Sequence, residues 1–363
     1  VRADAPRRGW LTPRAYLPLR LWEGIGTGAV NLFTIALLGV YLFPILFMAA
    51  TSLMHSSQLE DRFAPPWPGT PVTMMYEGEE APIYKVPLDG VVRELALVER
   101  GPRESKFADP ANPAAGLITW EGSWRTLPRV YRFRLNWQNF VALLDSIPFP
   151  KLIRNTLLAA AISGVGVLAS SIVVAYGFAR YPLPGGNALF YLMIATLLIP
   201  EKVTLIPAYF FFVRVLEWNG SWLPILIPFF FGNALYIFLL RQNFKTVPKE
   251  LEEAAMLDGA GALRTLFSVV LPQTWPTLVT VTILHFFYMW NETRLASIYL
   301  ASRRDLIPIS FGIANFQSLA PIQNLLQASA LITMIVPVIV LLISQRVFLR
   351  DMVITGAEKR ARG

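Results

Sequence analysis

The feature that most constrains this chain is a set of six long apolar runs, at about residues 28–53, 155–179, 187–213, 222–240, 275–295 and 325–347. A helix crosses the hydrocarbon core with roughly 20 residues at about 1.5 Å each, and every run is of that order. Composition agrees: of 363 residues, 54% are hydrophobic and only 15% charged, too few charges to cover a soluble surface of this size. The sequence therefore predicts an all-α polytopic membrane protein with six transmembrane helices. The first run is too long and begins too late for a cleaved signal peptide, and is read as a true span.

Several chemistries are excluded at once. The chain has no cysteine, which removes disulfides, thiol chemistry and cysteine-bound zinc. His55 and His285 are its only imidazoles, too few for a histidine metal site. No nucleophile–base pairing stands out, so neither a catalytic nor a metal-binding set is assigned. The net charge of +8 is explained by topology rather than by nucleic acid. With the N-terminus in the cytoplasm, the inner segments collect Arg2, Arg7, Arg8, Arg14 and Arg20, then Arg180, then Arg241, Lys245 and Lys249. Arg346, Arg350, Lys359, Arg360 and Arg362 complete the set. The short outer loops keep few, as the positive-inside rule requires. Both termini are expected in the cytoplasm.

The chain divides accordingly: a basic arm (1–27), a first span (28–53), an outer segment (54–135), a core with five spans (136–348) and a cytoplasmic tail (349–363). The outer segment predicts a small antiparallel β insert between helices 1 and 2. In "PIYKVPLDGVVRELALV", Asp89-Gly90 lies between two strand-like runs, a hairpin signal. "VYRFRL" alternates, with Tyr131, Phe133 and Leu135 on one face and arginines on the other. "NWQNFVALLDS" reads as a short amphipathic helix leading into the second span. That span is crowded with Ala, Gly and Ser, which lets helices approach closely and predicts a place inside the bundle. The third is interrupted by Pro200 and Pro207, with Glu201 and Lys202 between them.

Among these runs, "ELEEAAMLDGAG" is anomalous: a short polar helix on the cytoplasmic side, between the fourth and fifth spans. Pro248 suits its first position, Glu250 and Glu252 its positive end, and Gly259 its left-handed stop. Leu251, Ala254 and Ala255 make one narrow face, and Glu250, Glu253 and Leu257 another. Such a helix gains little from its own protein or from lipid, and reads as a knob offered to a partner.

The run "EAAMLDGAGALRTLFSVVLP" resembles the EAA signature of ABC importer permeases: Glu-Ala-Ala, three residues, Gly, nine residues, an aliphatic residue (Val269), one more, Leu-Pro. "RNTLLAA", "AYGFARY", "LLIPEKVTLIP", "LLRQNFKTVPKELEEAAMLDGA", "WNE" and "SQRVFL…ITGAEKR" are similar to the carbohydrate-permease family typified by the maltose permease MalG. The resemblance covers residue 136 onward plus the first span, and implies the type I ABC importer fold. It implies a coupling loop, 241–272, in which Glu253, Ala254, Ala255, Leu257, Asp258, Gly259, Leu271 and Pro272 engage an ATP-hydrolysing subunit. The carboxylate of Glu253 would take charge-assisted hydrogen bonds there. Further implied are a second, MalF-like permease subunit, two ATPase subunits and an extracytoplasmic sugar-binding protein, in a bacterial inner membrane. No cofactor is expected in this chain: it has no Walker A loop, so ATP and magnesium belong to the partner ATPase.

A translocation path is expected near Pro200, Glu201, Lys202, Trp290 and Asn291. Glu201 and Lys202 carry more charge than the family usually has there, and either line the path or pair across the bundle, or else form an ion pair near the outer interface that snorkels to water. His285 reads as a hydrogen-bonded core histidine rather than a proton relay, and the "AYFFF" and "PFFF" runs as lipid-facing or packed. The "WEGSW" aromatics are discounted as a sugar site. The outer insert departs from the family, whose first outer loop is typically much shorter. Two rivals remain: an ion-coupled secondary carrier, which would need buried carboxylates and inverted repeats, and a membrane enzyme with its site in the outer insert.

Overall fold

The computed structural model describes the backbone of residues 19–88, 90–319 and 322–361, with side chains from residue 26 to 345 within those segments. Residues 1–18 of the expected arm therefore lie outside the described residues, whereas 19–27 already belong to the first helix; the side chains of the expected tail lie outside completely. Helix α1 (Leu19–Ser52) is followed by the short α2 (Ser56–Leu59) and a β region. Its strands are β1 (Gly69–Pro71), β2 (Thr73–Tyr76), β3 (Glu79–Leu88), β4 (Val91–Glu99), β5 (Glu104–Ala108), β6 (Ile118–Glu121) and β7 (Tyr131–Phe133). Strands β2 to β6 form an antiparallel meander in sequence order, while β1 pairs with β7 as a separate two-stranded ribbon.

The hairpin signal marks a real turn. Leu88 pairs with Val91, leaving two residues to connect β3 and β4, and Gly90 has φ of 79°. One face of the meander carries Tyr84, Val86, Leu95, Leu97 and Phe107 into a closed apolar core. The alternation of "VYRFRL" does not mark a buried face. Phe133 is 69% exposed and lies beside Trp67, because β7 belongs to the narrow ribbon and has no layer behind it.

The rest is helical: α3 (Gln138–Ser146), α4 (Phe149–Arg180), α5 (Gly186–Ala195), α6 (Glu201–Tyr209), α7 (Leu223–Leu226), α8 (Ala234–Phe244), α9 (Lys249–Leu257) and α10 (Ala262–Thr265). Then come α11 (Leu271–Gln273), α12 (Trp275–Trp290), α13 (Arg294–Tyr299), α14 (Ile309–Leu319) and α15 (Gln323–Ala361). Among the described residues, four helical stretches are long and apolar enough to cross a membrane: Gly26–Ser52, Phe149–Arg180, Leu223–Phe244 and Gln323–Gln345. Two further pairs qualify when joined, and both are sharply bent: Gly186–Leu198 with Glu201–Val215 at 90°, and Ala262–Gln273 with Trp275–Trp290 at 83°. The first bend falls at Pro200, where the missing N–H and the restricted residue before it break the ladder. The expected fifth run ends five residues early, since α12 stops at Trp290 and α13 is a separate turn.

Helix α4 is the centre of the bundle, as its small residues predict. Ala159, Ala160, Ser163, Gly166, Val167, Ser171 and Ala175 are all buried on it. Gly166 is required: a Cβ there would stand 2.7 Å from the Phe230 ring. Around α4 pack α8, α12 and α14. Buried clusters join it to Tyr236, Leu240 and Val281 at one end, and to Trp290, Ile309 and Ile313 at the other. By contrast α1 has none of its apolar window buried and touches the bundle along α15.

Candidate functional site

Helix α9 begins after Pro248, which stands at the N-cap rather than at the first helical position, a shift of one residue. Its end is built by Gly259, whose φ of 80° is the left-handed conformation expected of it. The N–H of Ala260 donates to the carbonyl of Ala255 at 2.9 Å and that of Gly259 to Met256 at 3.0 Å, a Schellman-type closure. The chain then runs back through α10, a π-helical turn (Leu266–Val270) and α11 before bending into α12. Leu271 is half-buried and Pro272 exposed in α11.

Among the described residues of the helix one side chain is buried, and sequence reasoning passed over its inward contact. Glu252 is buried, with its carboxylate 2.5 Å from Arg180 Nη2 at the end of α4. This is a charge contact without a hydrogen bond at that oxygen, because Arg180 Nη2 donates instead to the carbonyl of Val247 at 2.7 Å. The other carboxylate oxygen accepts from Tyr176 Oη at 3.2 Å. The EAA pattern draws attention to Glu253, yet one residue earlier is the side chain that faces inward. A step of about 100° per residue puts Glu252 and Glu253 on different faces.

Everything else on α9 looks outward. Glu253, Ala254, Leu257, Asp258 and Gly259 are exposed, and Ala255 is half-buried. Met256 is 51% and Leu257 90% exposed. Further along, Leu263 and Phe267 add exposed apolar surface. The short helix is thus tied inward by a buried ion pair and leaves leucine and methionine exposed next to carboxylates.

The residues expected along a translocation path are only partly brought together. Glu201 reaches the Arg294 side chain, joining the start of α6 to that of α13. Lys202 is exposed and makes no ion pair among the described residues, and Pro200 is the N-cap of α6. Trp290 is buried against Phe286, while Asn291 is exposed and donates to the carbonyl of Phe287 at 2.8 Å. Next to it, buried Glu292 accepts from the backbone N–H of Leu295 at 2.6 Å and so caps α13. His285 is the buried, hydrogen-bonded side chain its surroundings suggested, 2.7 Å from Ser163 Oγ. The aromatic runs split: Phe210 and Phe231 face outward, whereas Phe212 packs on Trp218 and Tyr299, and Phe229 on His285.

Residues 155–354 match the family described as the binding-protein-dependent transport system inner membrane component. The chain belongs to this family. It is an inner-membrane, multi-pass permease subunit of a binding-protein-dependent ABC importer, and not an enzyme. It is 29% identical over 280 residues to the osmoprotective compounds uptake permease protein GgtD of a Synechocystis strain, covering 76% of this chain and 92% of that one. It is 33% identical over 233 residues to the sn-glycerol-3-phosphate transport system permease protein UgpE of Yersinia pestis, covering 60% and 79%. Its fold is similar, with a TM-score of 0.57 and 19% identity, to a chain from the crystal structure of a bacterial ABC transporter that imports the acidic polysaccharide alginate. That similarity covers 92% of this chain and 99% of the other. The permease thus has the type I ABC importer fold, mostly helical with four to six apolar spans and a small antiparallel β region. Membership in this family displaces both the secondary carrier and the enzyme.

Proposed function

We propose that the permease conducts a carbohydrate or similar polyhydroxylated solute inward, and that α9 is where an ATPase subunit takes hold of it. The observation that carries this reading is the form of α9: one inward ion pair fixes it to α4, and most of its remaining surface, crowned by Leu257, is left exposed by the described residues. Closing of an ATPase pair beneath would then move α9, and through Arg180 the central helix α4, as one unit. Both sites bias the same two-state element, as alternating access requires.

In this reading each bent pair is one span, giving six, and both termini lie in the cytoplasm. Glu253, Ala254, Ala255, Leu257, Asp258 and Gly259 meet the ATPase, with Leu271 and Pro272 setting the return into the membrane. ATP and magnesium are bound by that partner. A second permease subunit covers the exposed apolar faces of the bundle, and the β region, outside the membrane, meets the binding protein or the second permease. The names of the similar permeases, which include a glycerophosphate transporter and an importer of osmoprotective compounds, support a small polar solute. The Pro200–Lys202 and Trp290–Asn291 segments flank the outer end of its path. Identifying the ligand of the co-purifying binding protein tests the cargo: a sugar or polyol is expected, and an amino acid or a metal would overturn it. Glu253→Lys and Gly259→Pro test the coupling. Folded, membrane-inserted subunits with lost uptake are expected, and unchanged uptake would sink the assignment.

A further inference from the structure

A cleft of about 340 Å³ opens between the end of α4 and the start of α5, walled in part by Tyr181, Pro182, Gly185, Gly186, Asn187 and Arg241. Arg241 is the only charged side chain among its described lining residues. Two independent features of the wall call for an anion.

The first is the start of α5. Its N-cap is Gly185, with φ of 69° and no side chain to cap the helix. The N–H of Gly186 donates to Leu183 and that of Leu189 to Gly185. Among the described residues, the N–H groups of Asn187 and Ala188 find no backbone acceptor. The first turn of a helix with unfilled N–H groups carries a partial positive charge.

The second is Arg241, on α8. The residue is only 8% exposed, yet no carboxylate pairs with it among the described residues. Its Nε donates to the carbonyl of Phe178 at 3.2 Å, and its guanidinium lies 3.9 Å above the Phe190 ring. Phe190 is one helical turn beyond Gly186, so this stacking sets the guanidinium beside the first turn of α5. The Nη groups have no protein acceptor among the described residues. Arg241 lines the cleft, so the side of its guanidinium without an acceptor or a counter-charge among the described residues is available to an anion there.

We propose that this cleft binds a phosphoryl group, supplied by an anionic phospholipid headgroup or by free phosphate. A tetrahedral phosphoryl offers oxygens to two adjacent first-turn N–H groups and to a guanidinium at once. The cleft lies at the end of the bundle that carries α9, since Arg180 closes α4 there, and this is where lipid phosphates meet the protein. Which side of the membrane this is rests on the proposed function; the binding itself does not.

The test uses the purified importer complex, freed of lipid, and reads binding rather than transport. Native mass spectrometry compares retention of phosphatidylglycerol with that of phosphatidylcholine, and equilibrium dialysis measures labelled inorganic phosphate. Asn187→Asp puts a carboxylate at the mouth while favouring the helix start, so the fold is kept. Repulsion between that carboxylate and the phosphoryl group predicts binding weaker by about tenfold or more in this variant. Arg241→Gln, which removes the charge-assisted bond instead, should weaken binding to a similar extent. Retention of phosphatidylglycerol that Asn187→Asp abolishes supports the lipid source. Phosphate binding alone, lost in the same variant, supports the soluble source. No binding of either probe, or equal binding by wild type and Asn187→Asp, overturns the proposal. A complex that transports normally yet binds neither probe would contradict this site while leaving the proposed function intact.

Discussion

At the residue scale, Glu252 and Glu253 are chemically identical neighbours with opposite surroundings. Removing one partner of a buried ion pair leaves an uncompensated charge, so Glu252→Ala should destabilise the subunit by about 3–5 kcal/mol. Tyr176→Phe, which removes one hydrogen bond to the same carboxylate, should cost about 1 kcal/mol. Thermal unfolding of the purified complex reads both, and a double Arg180→Met, Glu252→Met variant should recover most of the loss. Glu253→Ala should leave stability unchanged to within about 0.5 kcal/mol, since that side chain is exposed. At Arg303–Asp305 the guanidinium holds the Asp305 carboxyl down to about 2. Because its folded value is depressed, any contribution is present above the ordinary carboxylate range and fades only as pH falls toward 2. The thermal stability contributed by this loop should therefore be flat from neutral pH down to about pH 4. Residue types and spacing made the exposed set on α9 legible. The inward-facing glutamate was not, because the partners that bury it, Tyr176 and Arg180, lie more than seventy positions away.

At the element scale, apolar run length marked four of the long apolar helices, and the small residues of α4 the bundle's centre. The same reasoning located the break at Pro200 and the left-handed stop at Gly259. It failed for β7, where alternation is necessary for a half-buried strand but does not supply the layer that buries it. It also could not foresee the tie made by Gln58. That buried amide donates to the carbonyls of Pro65 and Trp67 and accepts from Gly69 N–H, fixing the entry to β1. Gln58→Ala should loosen this corner by about 1–3 kcal/mol, through buried backbone groups left without partners, and would show as faster amide exchange at Gly69. For α9, Leu257→Asp should leave unfolding unchanged yet reduce ATP-driven uptake sharply, because the leucine is 90% exposed.

At the scale of the whole molecule, the register of the β1–β7 ribbon predicts that the β region can be removed as a unit. Pro71 and Tyr131 are directly paired across the β1–β7 ribbon, so a short turn can replace residues 72–130 without moving the rest. The shortened subunit should insert and assemble, while transport stimulated by the binding protein falls. Full transport and assembly after the deletion would refute a docking role. The bundle itself is tied together by Asn139, which donates to the carbonyls of Ser52 and Met54 and accepts from Asn324, joining α1, α3 and α15. The central claim is that the α9 surface meets an ATPase. Since the chain has no cysteine, Leu257→Cys introduces a single thiol, and Val92→Cys on β4 serves as its control. Cross-linking of the assembled importer should join position 257, and not position 92, to the ATPase subunit. A complex in which position 257 gives no ATPase adduct, or position 92 does, would contradict the account.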